Sequence, residues 1–166
     1  PAAAATASSA PAAKTGKPAY LRFGREKTPV MTTADSPFEI GKAEVFWKSV
    51  TTSDVAMFAT GPLAYSALLA ARILEQNGVH ATVVNVHTIK PLDRETILRE
   101  AKAAGAVVSV EEHQITGGLG GAIAELLARE APLPQEFVGV QDRFGQSGTA
   151  AELIEYYGMG ASAIAE

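Results

Sequence analysis

A chain of 166 residues that is 47% hydrophobic and 19% charged can bury one substantial core, and it is too short for two ordinary domains with a linker between them. A formal charge of −4 without a cluster of Lys and Arg removes any general attraction to phosphate backbones or anionic bilayers, so neither nucleic acid nor membrane is expected as a partner. The absence of cysteine removes disulfides and thiolate metal sites, and with no apolar run near the roughly 18 residues of a membrane helix and no secretory signal pattern, a cytoplasmic protein is expected.

Residues 1–17 begin with a run of Pro, Ala, Thr and Ser that offers little large apolar surface, and they read as a low-complexity tail. The alternation Ala19-Tyr20-Leu21-Arg22-Phe23 predicts a strand, but Pro29 and Pro37 mark the stretch up to residue 41 as an extended linker. Such a strand is isolated from any neighbour, so residues 18–25 are expected either to pair with protein outside this chain or to lie across the surface of the domain that begins at residue 42. Residues 42–166 form the regular part of the chain.

Strands are predicted over 43–50 and 54–60, and the three polar residues between them are short enough for an antiparallel hairpin with the first strand at the sheet edge. Gly61-Pro62 opens a helix carrying Leu63, Ala67, Ala70, Ala71 and Leu74 on one stripe, and Asn77-Gly78 ends it. The strand 81–87 comes next, with Val83-Val84 apolar on both faces as a central parallel strand requires. Asp93 is placed to cap a helix over 94–104, which Gly105 ends. A buried strand over 106–110, a glycine turn at 117–121, a helix over 121–130 and a strand over 135–140 continue the pattern. Thr149 and Glu152 form a capping box for a last helix over 150–157. The order β-β-α-β-α-β-α-β-α predicts an α/β fold of three layers, α/β/α, around a five-stranded mixed, mostly parallel sheet.

Three stretches invite a chemical reading. Gly117-Gly118-Leu119-Gly120-Gly121 sits between a strand and a helix, where N–H groups can hold phosphate, but position 123 is Ile rather than the third glycine of a dinucleotide fingerprint. Close packing of helix on sheet is the simpler account of Gly117, Gly118 and Gly120. Glu111-Glu112-His113 lies at the carboxyl end of a central strand, where crevices form in open α/β sheets, and alternation places Glu111 and His113 on one side. They suit an acid–base pair or an interface. His80 and His87 have no ligand spacing with His113. Asp142-Arg143-Phe144-Gly145-Gln146-Ser147-Gly148 lacks the companion base of a nucleophile elbow and reads as a docking loop, with Asp142 and Phe144 as interface candidates.

Together, Val84-Asn85-Val86-His87-Thr88-Ile89-Lys90-Pro91-Leu92-Asp93, Val110-Glu111-Glu112-His113 with Gly117-Gly118-Leu119-Gly120, the 139–148 stretch and Tyr157-Gly158 resemble the C-terminal domain of the transketolase family. The likeness runs over residues 18–158 and is nearest to the C-terminal subunits of two-gene transketolases; deoxyxylulose-phosphate synthases and the β subunits of 2-oxoacid dehydrogenases share some of these elements. The resemblance implies a five-stranded sheet with the first strand antiparallel. It implies that residues 18–41 end a preceding pyrimidine-binding domain and its linker, and that Arg25 contacts the phosphate of a sugar-phosphate substrate. Thiamine diphosphate and Mg²⁺ would be held by N-terminal cofactor-binding and pyrimidine domains, on the same chain or a separate subunit, in a homodimer or heterotetramer. No cofactor is expected on this chain alone, and no catalytic or metal-ligating residue within it. The alternatives are a β-subunit domain of a 2-oxoacid dehydrogenase and a free-standing regulatory or ligand-binding module using the crevice beside His113.

Overall fold

The computed structural model describes residues 16–24, 26–49 and 52–166. Its strands are β1 (Glu44–Lys48), β2 (Val55–Thr60), β3 (Ala81–Asn85), β4 (Val107–Gln114) and β5 (Gln135–Val140). From β2 onward they alternate with helices α1 (Leu63–Gln76), α2 (Arg94–Ala104) and α3 (Leu119–Glu130), and two short helices, α4 (Ala150–Tyr156) and α5 (Ala161–Ile164), close the chain. The strands form one sheet in the order β1-β3-β2-β4-β5, parallel throughout except for β1 at the edge.

Period-two alternation in β2 decides the layering. Ala56 and Phe58 point to one side, where Ile97 and Ala101 of α2 and Leu119, Ile123 and Leu127 of α3 cover them. Met57 and Ala59 point to the other, against the small stripe Ala64, Ala67, Ala70 and Ala71 of α1 and Ile164 of α5. Alanines on α1 let that helix approach the sheet closely. Both faces of the central strands are dry, which is why β2 and β3 read as continuous apolar runs.

The antiparallel edge is as expected, but its partner is not. β1 lies on β3, with Glu44 opposite Asn85 and Lys48 opposite Thr82, and the hairpin between β1 and β2 does not form. The chain instead steps across the amino end of β3, a span of about 10 Å for two strand spacings. His80, immediately before β3, is held from both sides of that step: its ring Nδ1 lies 3.4 Å from Ser49 Oγ, and its N–H donates to Asp54 Oδ2 at 2.8 Å. Residues 16–24 contain no strand. Among the described residues they pair with no strand, and Tyr20 stays 87% exposed while Arg22 Nη2 reaches the Glu112 carbonyl at 3.4 Å. α5 lies outside the expected elements; its four residues, ASAI, are too few for a periodic signal.

Two carboxylates of the α2 unit fasten β1. Asp93 Oδ1 accepts the Thr96 N–H as a helix cap and Oδ2 accepts the Ala43 N–H at 2.8 Å, while Glu100 accepts from Lys48 Nζ at 2.8 Å and from Arg99 Nε at 2.9 Å. Burial alone would raise both acids, but the bonds from Ala43 and Thr96, with the Lys42 charge, hold Asp93 below the usual carboxylate range, and Lys48 and Arg99 do the same for Glu100. Depressed folded-state values mean that this stability is fully present above the unfolded values near 3.8 and 4.5, and is lost as pH falls through the folded ones. Unfolding midpoints in urea are therefore expected to drop between about pH 5 and pH 3, and the drop to be smaller in an Asp93→Asn, Glu100→Gln variant. An equal drop in that variant would mean that these two acids are not its source.

Candidate functional site

Glu111, on the side of β4 that faces α3, is 3% exposed. Its two oxygens accept the N–H groups of Leu119 and Gly120, each at 2.8 Å, so the positive end of α3 is neutralised by a carboxylate of the same chain. The glycines make room for this. A Cβ at Gly118 would run into the Glu111 carboxyl group, and one at Gly120 would lie 2.6 Å from Phe137 Cδ1 and 2.7 Å from Ser109 Oγ. Gly117 supplies the left-handed turn at φ 79°. The 117–121 turn does not fit a diphosphate, because Glu111 already occupies the donors that an anion would need.

The acid–base pair between Glu111 and His113 is not assembled. Pairing between β4 and β5 slips after Val110, where the next matched partners are Gln114 and Val140, and the slip turns His113 outward. His113 is exposed, its Nδ1 lying 3.2 Å from the Gln114 carbonyl. With Glu111 committed to α3 and His113 exposed, the two side chains do not converge on a shared crevice.

Gln114 has a role that spacing does not reveal. Its Oε1 accepts the Asp142 N–H at 3.0 Å and its Nε2 donates to the Arg143 carbonyl at 3.3 Å, so one side-chain amide pairs with the loop as a strand backbone would. Tyr157 completes the brace by donating its hydroxyl to the Phe144 carbonyl at 2.9 Å. Asp142 adopts φ 48°, a conformation that Asx residues tolerate. The loop is thereby held, and it leaves the Phe144 side chain 100% exposed. The hint in the sequence is an amide at the end of a β-strand and a tyrosine next to the glycine that ends the last predicted helix.

An open cleft of about 600 Å³ lies on the opposite face of β4 from Glu111. Val140, Leu153, Ile154, Tyr157 and Met159 give it apolar lining, and the carboxylates Glu26 and Glu112 line it as well. His87 is structural in setting: its ring stacks on Phe38 at 4.4 Å, and burial pushes its pKa down, as burial pushes the Glu44 carboxyl up. Among the described residues no three His, Cys, Asp or Glu side chains are grouped to hold a metal ion, and no helix is long and apolar enough to cross a membrane. Arg25, expected to contact substrate, lies outside the described residues.

Comparison with known proteins gives this geometry a family. Residues 41–164 match the family described as transketolase, C-terminal domain. The 6-deoxy-6-sulfo-D-fructose transketolase subunit SqwH of Clostridium sp. (strain MSTE9) is 41% identical over 147 residues, which is 89% of this chain and 45% of that protein. A putative transketolase C-terminal section of Methanocaldococcus jannaschii is 40% identical over 152 residues, 90% of this chain and 46% of that protein. A solved structure described as a split gene transketolase, inactive beta4 tetramer, superposes with a TM-score of 0.80 at 42% identity over 86% of this chain and 46% of its own. The chain thus spans a little under half the length of these relatives. With the ordered sequence motifs, the matched profile and the shared five-stranded sheet in agreement, the chain belongs to the transketolase family, as its C-terminal domain.

Proposed function

We propose that this chain is the C-terminal part of a transketolase-type enzyme that moves a two-carbon ketol unit between sugar phosphates, and that its own contribution is assembly and the shape of the substrate channel. The observation that carries this reading is the Glu111 carboxylate inserted into the α3 N-terminus, where it occupies the donors of the glycine turn that could otherwise hold a diphosphate. Thiamine diphosphate and Mg²⁺ belong in this reading to N-terminal cofactor-binding and pyrimidine domains, on the same polypeptide or on a separate subunit. Residues 18–41 are the end of the pyrimidine domain and its linker, and the working unit is a homodimer or a heterotetramer in the cytoplasm. Subunit naming among the relatives supports the shared-unit arrangement, as does the description of one neighbour as an inactive tetramer of β subunits.

Reconstitution tests it directly. The chain is mixed with the N-terminal part of its parent enzyme, thiamine diphosphate and Mg²⁺, and ketol transfer from a ketose phosphate to an aldose phosphate is measured; transfer should require both parts. Calorimetry showing tight thiamine diphosphate binding by this chain alone would sink the reading. Within the assembled enzyme, Arg25→Ala is expected to lose a charge-assisted phosphate contact worth about 2 kcal/mol, roughly thirtyfold in KM for a phosphorylated substrate. An equal loss on the unphosphorylated sugar would take Arg25 out of phosphate recognition.

A further inference from the structure

The segment ahead of β1 has the composition of a linker, yet it is tied to the domain along its length. Met31 packs against the α1 side of the core. Thr33 and Ser36 close a turn on each other: the Ser36 N–H donates to the Thr33 carbonyl at 3.3 Å, and Ser36 Oγ accepts the Thr33 N–H at 2.9 Å. A second turn brings the Lys42 N–H to the Glu39 carbonyl at 3.0 Å, and Gly41, at φ 84°, lies so near Pro91 that a Cβ would fall 2.9 Å from its Cγ. Between the two turns, Phe38 stacks on the His87 ring at 4.4 Å. Residues 31–42 thus form a strap that reaches the carboxyl end of β3, and its aromatic contact there is with a titratable ring.

That ring is poorly placed to carry a charge. Its Nε2 is buried and meets no hydrogen-bond partner among the described residues, while Nδ1 lies 2.9 Å from Thr88 Oγ1. A neutral ring that donates from Nδ1 leaves Nε2 as an unused acceptor, whereas an imidazolium puts a charged N–H into the same buried spot. Attraction between a charged ring and the Phe38 face works the other way, but stripping water from a charged donor without an acceptor outweighs it. Burial accordingly pushes the His87 pKa below its ordinary 6.5. With a lowered value in the closed strap, the contact is at full strength above 6.5 and is lost as pH falls from there through the folded value. The other acids at the strap do not act in this range with this sign. Glu44, on β1 opposite Asn85, is raised by burial, so its contribution is present below 4.5 and lost as pH rises. Asp93, which holds Ala43, is lowered, and its contribution is fully present above 3.8. Asp35, Glu39 and Lys42 on the strap and Lys90 and Arg94 beyond His87 complete the charged groups of the two segments, and burial rather than any of these charges sets the His87 shift. His80 sits at the far end of β3, about 20 Å along the strand, and His113 is on β4.

We propose that residues 31–42 are an acid-released strap, closed over the carboxyl end of β3 while His87 is neutral and opened when that ring takes a proton. Opening frees the segment ahead of β1 to move relative to the sheet, and it does so under mild acidity that leaves the sheet intact. The test is amide hydrogen exchange of the full chain, followed by nuclear magnetic resonance at about pH 7.5 and about pH 5.5, on either side of the ordinary histidine value, with rates corrected for intrinsic exchange. Protection of the Ser36 and Lys42 N–H groups should be about fivefold lower at the acid pH, while that of Val86, whose N–H donates to the Ala59 carbonyl between β2 and β3, stays constant. His87→Phe keeps a ring against Phe38 and cannot take a proton, so its strap protection should be the same at both pH values. Phe38→Ala, a change on the strap and outside the sheet, should show the low protection at both. Equal strap protection at the two pH values in the unaltered chain overturns the proposal, and so does an equal fall at Val86, which would mean that the whole domain loosens. A fall that persists in His87→Phe places the titrating group elsewhere and overturns the role of His87. Should that variant not fold, a fall that persists in Phe38→Ala overturns it instead.

Discussion

Glu111→Ala should lower the unfolding free energy by about 3 kcal/mol, because it removes two charge-assisted hydrogen bonds and strands two N–H donors at a buried helix end. The donors belong to Leu119 and Gly120, and Leu119 is itself fully buried, so water cannot replace the lost carboxylate without opening the core. Glu111→Gln keeps one accepting oxygen and the side-chain volume, and its loss should be intermediate. Urea unfolding monitored by circular dichroism reads both. A loss below about 1 kcal/mol for Glu111→Ala would mean that the α3 terminus is satisfied by another group, and an anion cradle at the glycine turn would again be tenable.

Gly120→Val should be as damaging, by overpacking rather than by loss. The first added carbon already falls 2.6 Å from Phe137 Cδ1 and 2.7 Å from Ser109 Oγ, and β-branching adds two methyl groups in the same space. Forcing α3 away from β4 and β5 costs about 3 kcal/mol, at the upper end for extra bulk in a packed core. Gly121→Ala is the matched control: nothing lies within 4 Å of its added carbon, and removing a helical glycine should stabilise by about 0.5–1 kcal/mol. Opposite signs at adjacent glycines would establish that close approach, and not turn flexibility, explains Gly120. Two losses of similar size would point to the turn instead. Pairing Gly120→Ala with Phe137→Leu should recover part of the loss, because the two positions share one space.

Elements set by local chemistry are legible in the sequence. Asp93 as the cap of α2, the Thr149–Glu152 box of α4 and the apolar pattern of β2 and β3 each depend on residues within one turn or one strand, and all are present in the fold. The partner of β1 is not legible, because a short connection fits either a hairpin or a step across one strand, and the choice is made by contacts of β1 with β3 and of Lys48 with Glu100, 52 positions away in the chain. The strand expected over residues 19–23 rests on alternation alone, and alternation does not supply a neighbour. Glu111 stands out for its place at the carboxyl end of β4, but its partners are N–H groups eight and nine residues on, and backbone donors have no sequence signature. His113 fails as its companion because the slip in pairing after Val110 depends on β5. Gln114 gives no signal for a related reason: an amide side chain acts here only through a loop 28 residues away.

The irregular pairing of β1 has a consequence for how copies of this chain can meet. Between Val45 and Trp47 the register with β3 shifts, and the strand ends in Lys48, so the outermost rim is short, kinked and charged. Such a rim is a poor template for another chain's backbone, and pairing of a further strand on the β1 side is discouraged.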